Sequence, residues 1–244
     1  MGGPVDATEL TAIDDVLRRQ WVRLRDWIDG LDDAALRRAS VLDGWSVEHL
    51  VAHLGRSLDA LGALQPAEAG AHPSSLGEYL ATYTAATADI DRITRELAAE
   101  IAPDRAGRLD AMAGTAFAQV TQLRALSPDA VVQARRGTIH LSDFLVSRLV
   151  ELVVHGDDLA RSLDRPTLGE EGPVEQAALQ AVSDALLEVL VDRGGWDLEV
   201  VDPLAWVRLA CGRVPYDTDA LTRAVTARHT SDGVPDLGRV LPLV

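Results

Sequence analysis

The chain has 244 residues, 47% of them hydrophobic, and carries 38 acidic against 23 basic side chains for a formal net charge of −15 at pH 7. That apolar content sustains a packed core and excludes a disordered chain, while the acidity excludes nucleic acid and anionic membranes as partners, since both select clustered Lys and Arg. One cysteine, Cys211, excludes an internal disulfide and a Cys-x-x-Cys metal site; with no signal-peptide pattern at the N-terminus and no apolar run of about 18 to 20 residues, a cytoplasmic protein with a small-molecule partner is expected.

In chain order, Thr8 to Leu31 predicts a first helix, with Leu10, Ile13, Val16, Leu17, Trp21, Leu24, Trp27 and Ile28 at mixed three and four spacing and Gly30 ending it. Ser46 is placed to cap a second helix with the stripe Val47, Leu50, Val51, Leu54, Leu58 and Leu61, broken by Pro66, Gly70 and Pro73. A third helix is expected from Ser75 to Ile101, stopping or kinking at Pro103 and continuing as Leu109 to Leu126. Val131 to Ile139 is basic and β-branched, and a last bundle helix runs from Leu141 to about Leu163. Four long helices with no alternating strand pattern predict an N-terminal bundle over 1–165. Residues 166–173, rich in Pro and Gly, read as a linker. Beyond it, 174–244 reads as a small α/β domain: a helix from Val174 to Val191, a strand at Leu198 to Val201, a helix opened by Asp202-Pro203, and a helix from Thr218 to Arg228.

The chemistry concentrates in the Leu141–Leu163 helix. At about 100° per residue, Phe144, Arg148, Glu151, His155 and Asp158 fall within a sector of roughly 80°, and Leu and Val cover most of the rest. Such a helix is buried, and a buried charge is costly unless paired, hydrogen-bonded or bound to a metal. Glu151 and His155, at i and i+4, form either a surface pair or part of a metal site. His53 is the better inward-facing histidine of the second helix, with His49 further toward solvent. His53, Glu151 and His155 together would supply two imidazoles and a carboxylate, a set that suits a catalytic zinc with an open position and also other divalent metals.

Gly44-Trp45-Ser46-Val47 leading to Leu50-Val51-Ala52-His53-Leu54, and Arg148 through Gly156 with Asp158-Leu159-Ala160, resemble the N-terminal domain of the mycothiol-dependent maleylpyruvate isomerase family, a group of DinB-like four-helix metalloenzymes. The resemblance implies a divalent metal, usually zinc, held by His53, Glu151 and His155, which binds the thiolate of mycothiol and presents it to an electrophilic substrate for S-transfer or isomerisation. Under it Arg148, the candidate catalytic residue, either pairs with Glu151 or holds an acidic group of substrate or cofactor; the structural alternative is neutralisation of Asp158 or Asp143. Asp158 is a candidate partner of the ligating histidine, whereas Asp157, on the opposite face, is expected in solvent. The stretch Asp202 through Arg213 with Leu241-Pro242-Leu243 is similar to the sterol-carrier-like domain that follows the bundle in many members. Arg208 and Arg213 are read as a solvated helix end and Cys211 as a buried, inert thiol. A non-catalytic small-molecule or lipid-binding protein is the competing function.

Overall fold

The computed structural model describes residues 6–83, 87–127, 130–229 and 233–244. Helix α1 (Ala7–Asp29) starts where Asp6 accepts the N–H groups of Thr8 and Glu9 at 2.8 and 2.9 Å, and it stops at Gly30. A short α2 (Asp33–Arg37), capped by Asp32, precedes α3 (Val47–Gly62). Ser46 caps α3 as expected, but its reciprocal partner is His49, whose Nδ1 accepts the Ser46 N–H at 3.0 Å, so His49 serves the helix end and is not merely solvated. Strand β1 (Gln65–Pro66) follows.

The helix expected over 75–101 is divided. Helix α4 (Leu76–Ala81) ends where the Thr82 N–H turns back to the carbonyls of Tyr79 and Leu80 and its hydroxyl donates to Tyr79 O at 2.7 Å, a local bond that competes with helix continuation. Helix α5 (Thr87–Ile101) follows; residues 84–86 of the expected helix lie outside the described residues. At Pro103 a 3₁₀ turn (Ala102–Asp104) leads into α6 (Arg105–Leu126). The basic, β-branched stretch is a hairpin of β2 (Val131–Ala134) and β3 (Gly137–His140) turning at Arg135-Arg136, and β1 adds to β2 to give an antiparallel sheet of order β1-β2-β3.

Helix α7 (Leu141–Ser162) is buried along almost its whole length. It packs on α1 and α3, and α3 packs on α5 and α6. The seam between α1 and α6 is polar, closed by Arg25 with Asp110 at 2.8 Å, by Arg124 with Asp14 at 2.5 Å, and by Arg18 stacked 4.5 Å over Phe117. A ring of four long helices results, α1-α7-α3-α6, around a core that includes Leu17, Leu24, Leu50, Leu54, Leu58, Val120, Leu145 and Leu152. Two glycines on its helices stand at close approaches. A Cβ on Gly55 of α3 would stand 2.8 Å from Leu109 Cδ2 on α6, and one on Gly156 of α7 would stand 2.9 Å from Val174 Cγ2.

The chain is thus mainly helical, with small antiparallel sheets. After α7 the chain runs to α8 (Gln176–Gly194) as a strap without helix or strand. Side chains of α1 hold it by its carbonyls: Gln20 Nε2 donates to Pro173 O at 2.9 Å, Arg23 Nε to Gly172 O at 2.8 Å and Trp27 Nε1 to Glu171 O at 3.0 Å. Strand β4 (Leu198–Val200) and helix α9 (Pro203–Ala210), capped by Asp202, come next. The helix expected over Thr218 to Arg228 is shorter: α10 (Thr218–Ala224) gives way to β5 (Val225–Ala227), where a β-branched pair meets β4 antiparallel. Helix α8 packs on α7 and α9, and α9 packs on α10, with Trp206 fully buried and donating to Ser183 O at 3.1 Å. Among the described residues no helix is long and apolar enough to cross a membrane.

Candidate metal centre

Three of the side chains singled out in the sequence meet between α3 and α7. Glu151 Oε2 lies 3.0 Å from His53 Nε2 and 3.3 Å from His155 Nε2, and all three residues are more than nine-tenths buried. One ligand atom from each lies within 4.8 Å of the others. Tetrahedral coordination with bonds of about 2.0 to 2.1 Å separates neighbouring ligand atoms by roughly 3.3 Å, so these two separations fit a common ion with little side-chain movement.

The other nitrogen of each imidazole is engaged. His155 Nδ1 is 2.9 Å from Asp158 Oδ2, and His53 Nδ1 is 3.4 Å from the Thr94 hydroxyl of α5. Without a metal either Nε2 can donate to Glu151; with one bound, Nδ1 would keep the proton on both rings and leave both Nε2 lone pairs for the ion, since neutral imidazole is the form a metal takes. The rings cross nearly at right angles, their centroids 4.6 Å apart, and the Trp45 ring covers His53 at 5.3 Å. Trp45 is anchored in turn through Nε1 to Asp91 at 2.6 Å.

Burial sets the electrostatics. It pushes His53 down to about 4, helped by the nearby His155, so His53 is neutral near pH 7. For Glu151 burial acts upward, but hydrogen bonds from His155 and His53 outweigh it and hold the carboxyl well below its usual range. His155 is raised: burial opposes its charge, and the bonds to Asp158 and Glu151 overcome that. Asp158 is lowered in the same way, burial losing to His155 and Arg213.

Helix α7 also meets the C-terminal segment through charge, which corrects three expectations. Asp157 is buried, not solvated, and takes Arg208 Nε and Nη2 at 2.9 and 2.6 Å and the Thr167 hydroxyl at 2.6 Å. Arg208 and Arg213 are not a solvated helix end. Arg213 Nε reaches both oxygens of Asp158 at 3.1 and 3.0 Å, so a chain of contacts runs from Arg213 through Asp158 to His155. Each face of α7 is covered by another element, and sequence periodicity does not record which side chains that element brings. The Cys211 thiol is buried and pushed up to about 12 by that burial, an inert group.

Arg148 is buried and its partners are neutral: Nε donates to Ser147 Oγ at 3.2 Å, Nη2 donates to the Tyr83 hydroxyl, and the guanidinium lies 4.9 Å from the Phe144 ring centroid. Two of the carboxylates considered for it are otherwise occupied, Glu151 by the two imidazoles and Asp158 by His155 and Arg213. It lines a cavity of about 110 Å³ that opens on His53 and Glu151 and is also lined by Arg56, Arg135 and Arg136. Arg56 escaped the sequence reading although its signal was present: it stands one turn after His53, as Arg148 stands one turn before Glu151. Thr94 and the hairpin arginines carry no such signal, because their relation to His53 is made only by the fold.

Residues 17–160 match the sequence model of a family described as the mycothiol maleylpyruvate isomerase N-terminal domain. A crystal structure of a mycothiol-dependent maleylpyruvate isomerase superposes with a TM-score of 0.54 at 16% identity, covering 93% of this chain and 95% of that one. A histidine-to-alanine mutant of a mycothiol-dependent maleylpyruvate isomerase superposes with a TM-score of 0.51 at 16% identity over the same shares. No curated protein matches the chain in sequence.

Proposed function

The chain belongs to the mycothiol maleylpyruvate isomerase N-terminal domain family, and from that premise we propose that it is a metal-dependent enzyme that uses a low-molecular-weight thiol, mycothiol, in S-transfer or isomerisation of an electrophilic substrate. His53, Glu151 and His155 are its ligands for one divalent ion, zinc by the two-imidazole, one-carboxylate donor set. The observation that carries this reading is the approach of both Nε2 atoms to one oxygen of Glu151, in a pocket where a buried carboxylate needs a cation. A bound divalent ion supplies Lewis acidity that keeps a thiol ionised near neutral pH. The protein does the rest. Asp158 and Thr94 fix the two imidazoles, Trp45 and the apolar walls of α3 and α7 restrict water, and Arg148 sits one turn from Glu151, where it can hold an anionic group of the substrate.

We place the catalytic chemistry in the bundle, 1–165, and take 174–244 as a second, sterol-carrier-like unit that bears on the site through Arg213 and Asp158. Metal analysis of the full chain purified with added zinc is the test. About one equivalent of zinc is expected, with loss on Glu151→Ala or His53→Ala; a wild-type protein that stays metal-free at full zinc supplementation refutes the reading.

A further inference from the structure

Helices α3 and α7 each carry a metal-ligand candidate and, one turn away, an arginine: His53 with Arg56, and Glu151 with Arg148. The β2–β3 turn brings Arg135 and Arg136 to the same cavity, so four guanidinium groups share about 110 Å³ in a chain whose net charge is −15. Among the described residues the ion pair of this group is Arg135 with Asp59, at 3.8 Å on the exposed rim. Arg136 lies 3.6 Å over the Tyr83 ring, and the Tyr83 hydroxyl accepts from Arg148. Arg56 Nε is buried with no hydrogen-bond partner, and burial together with the charge of Arg135 pushes the Arg56 guanidinium below its usual value. A donor left unsatisfied amid like charges is a standing cost, and an anion removes it.

Size restricts the anion. At about 30 Å³ per water the cavity equals roughly four waters, well under the ~300 Å³ at which ordinary ligand pockets begin. It has no room for the body of a thiol cofactor. We propose that this cavity is a subsite for a compact oxyanion with two negative charges, a short dicarboxylate or a phosphomonoester, held by Arg56, Arg136 and Arg148 beside the His53, Glu151 and His155 centre. That the anion is the head of the electrophile rests on the function proposed above; the binding itself does not. Tyr83 is the positioning residue, stacking on Arg136 and receiving Arg148, so the two guanidinium planes are held before the anion enters.

Titration calorimetry on the full chain at low ionic strength, with and without zinc, tests this with malonate, inorganic phosphate and acetate. Malonate or phosphate is expected to saturate one site per chain, acetate to bind about tenfold or more weakly, and Arg56→Gln and Arg136→Gln each to weaken the better dianion by about tenfold or more. Whichever of malonate and phosphate binds tighter identifies the class. Arg92→Gln, on the exposed face of α5, controls for net charge and folding and is expected to leave affinity unchanged. Absence of saturable binding in the millimolar range overturns the assignment, as does equal weakening by Arg92→Gln and Arg136→Gln. A protein that binds the dianion but no zinc loses the metal reading and keeps this one; a protein that binds zinc and ignores both dianions loses this one alone.

Discussion

Asp158 joins two parts of the molecule through one carboxylate, accepting from His155 on its own helix and from Arg213 beyond α9. Asp158→Asn keeps the shape and removes the charge that orients His155. Zinc affinity is expected to fall about 10- to 100-fold, read by competition with a chromogenic chelator; an unchanged affinity would show that His155 needs no support. The same variant carries a pH signature in the metal-free protein. Asp158 is depressed on folding, so its contribution to stability is present above its unfolded value near 3.8 and is lost as pH falls below it toward the folded value. The acid limb of a urea-denaturation profile is therefore expected to be shallower below about pH 4 in Asp158→Asn than in the wild type. At this scale the sequence displayed the triad, because i,i+4 spacing on an apolar helix announces a buried pair and the first half of the bundle offered an inward histidine. It misplaced Asp157, Arg208 and Arg213, since periodicity locates a face of a helix and says nothing of the arginine that another segment lays on it.

Among the elements, α3 carries the most consequence, with His53 and Arg56 on one side and α6 against the other. Its distance from α6 is set by Gly55, where an added methyl meets Leu109 at 2.8 Å and Met112 Sδ at 3.1 Å. Gly55→Ala gains helix propensity of up to about 1 kcal/mol and loses about 1 to 3 kcal/mol to overpacking. A net fall in thermal midpoint is expected; a rise would mean that α6 yields freely. The helices with strong apolar periodicity were legible nearly to their ends, α1, α3 and α7 above all. The misses share a cause. The β2 and β3 strands are four residues each, too short for alternation to register, and β5 begins inside a helical-looking run because Val225 and Thr226 find β4 only in three dimensions. Thr82 ended α4 by a hydrogen bond that no pattern of apolar residues announces.

Across the whole molecule, a net charge of −15 coexists with a cavity lined by four arginines, so the proposed anion site is a basic enclave in an acidic protein. The C-terminal segment closes on the bundle by several independent means: α8 against α7, Arg208 on Asp157, Arg213 on Asp158, and the strap fastened to α1 by Gln20, Arg23 and Trp27. The strap bears on how the gene could be divided. Its carbonyls are held from outside, residue by residue, so peptide continuity at the exposed Glu170-Glu171 bond is expected to contribute little to the fold. Co-expressed as two chains, 1–170 and 171–244, the halves are expected to co-elute on gel filtration as one particle of the parent's size; separate elution would show that covalent tethering is required. The strap thereby makes this protein a natural candidate for fragment complementation.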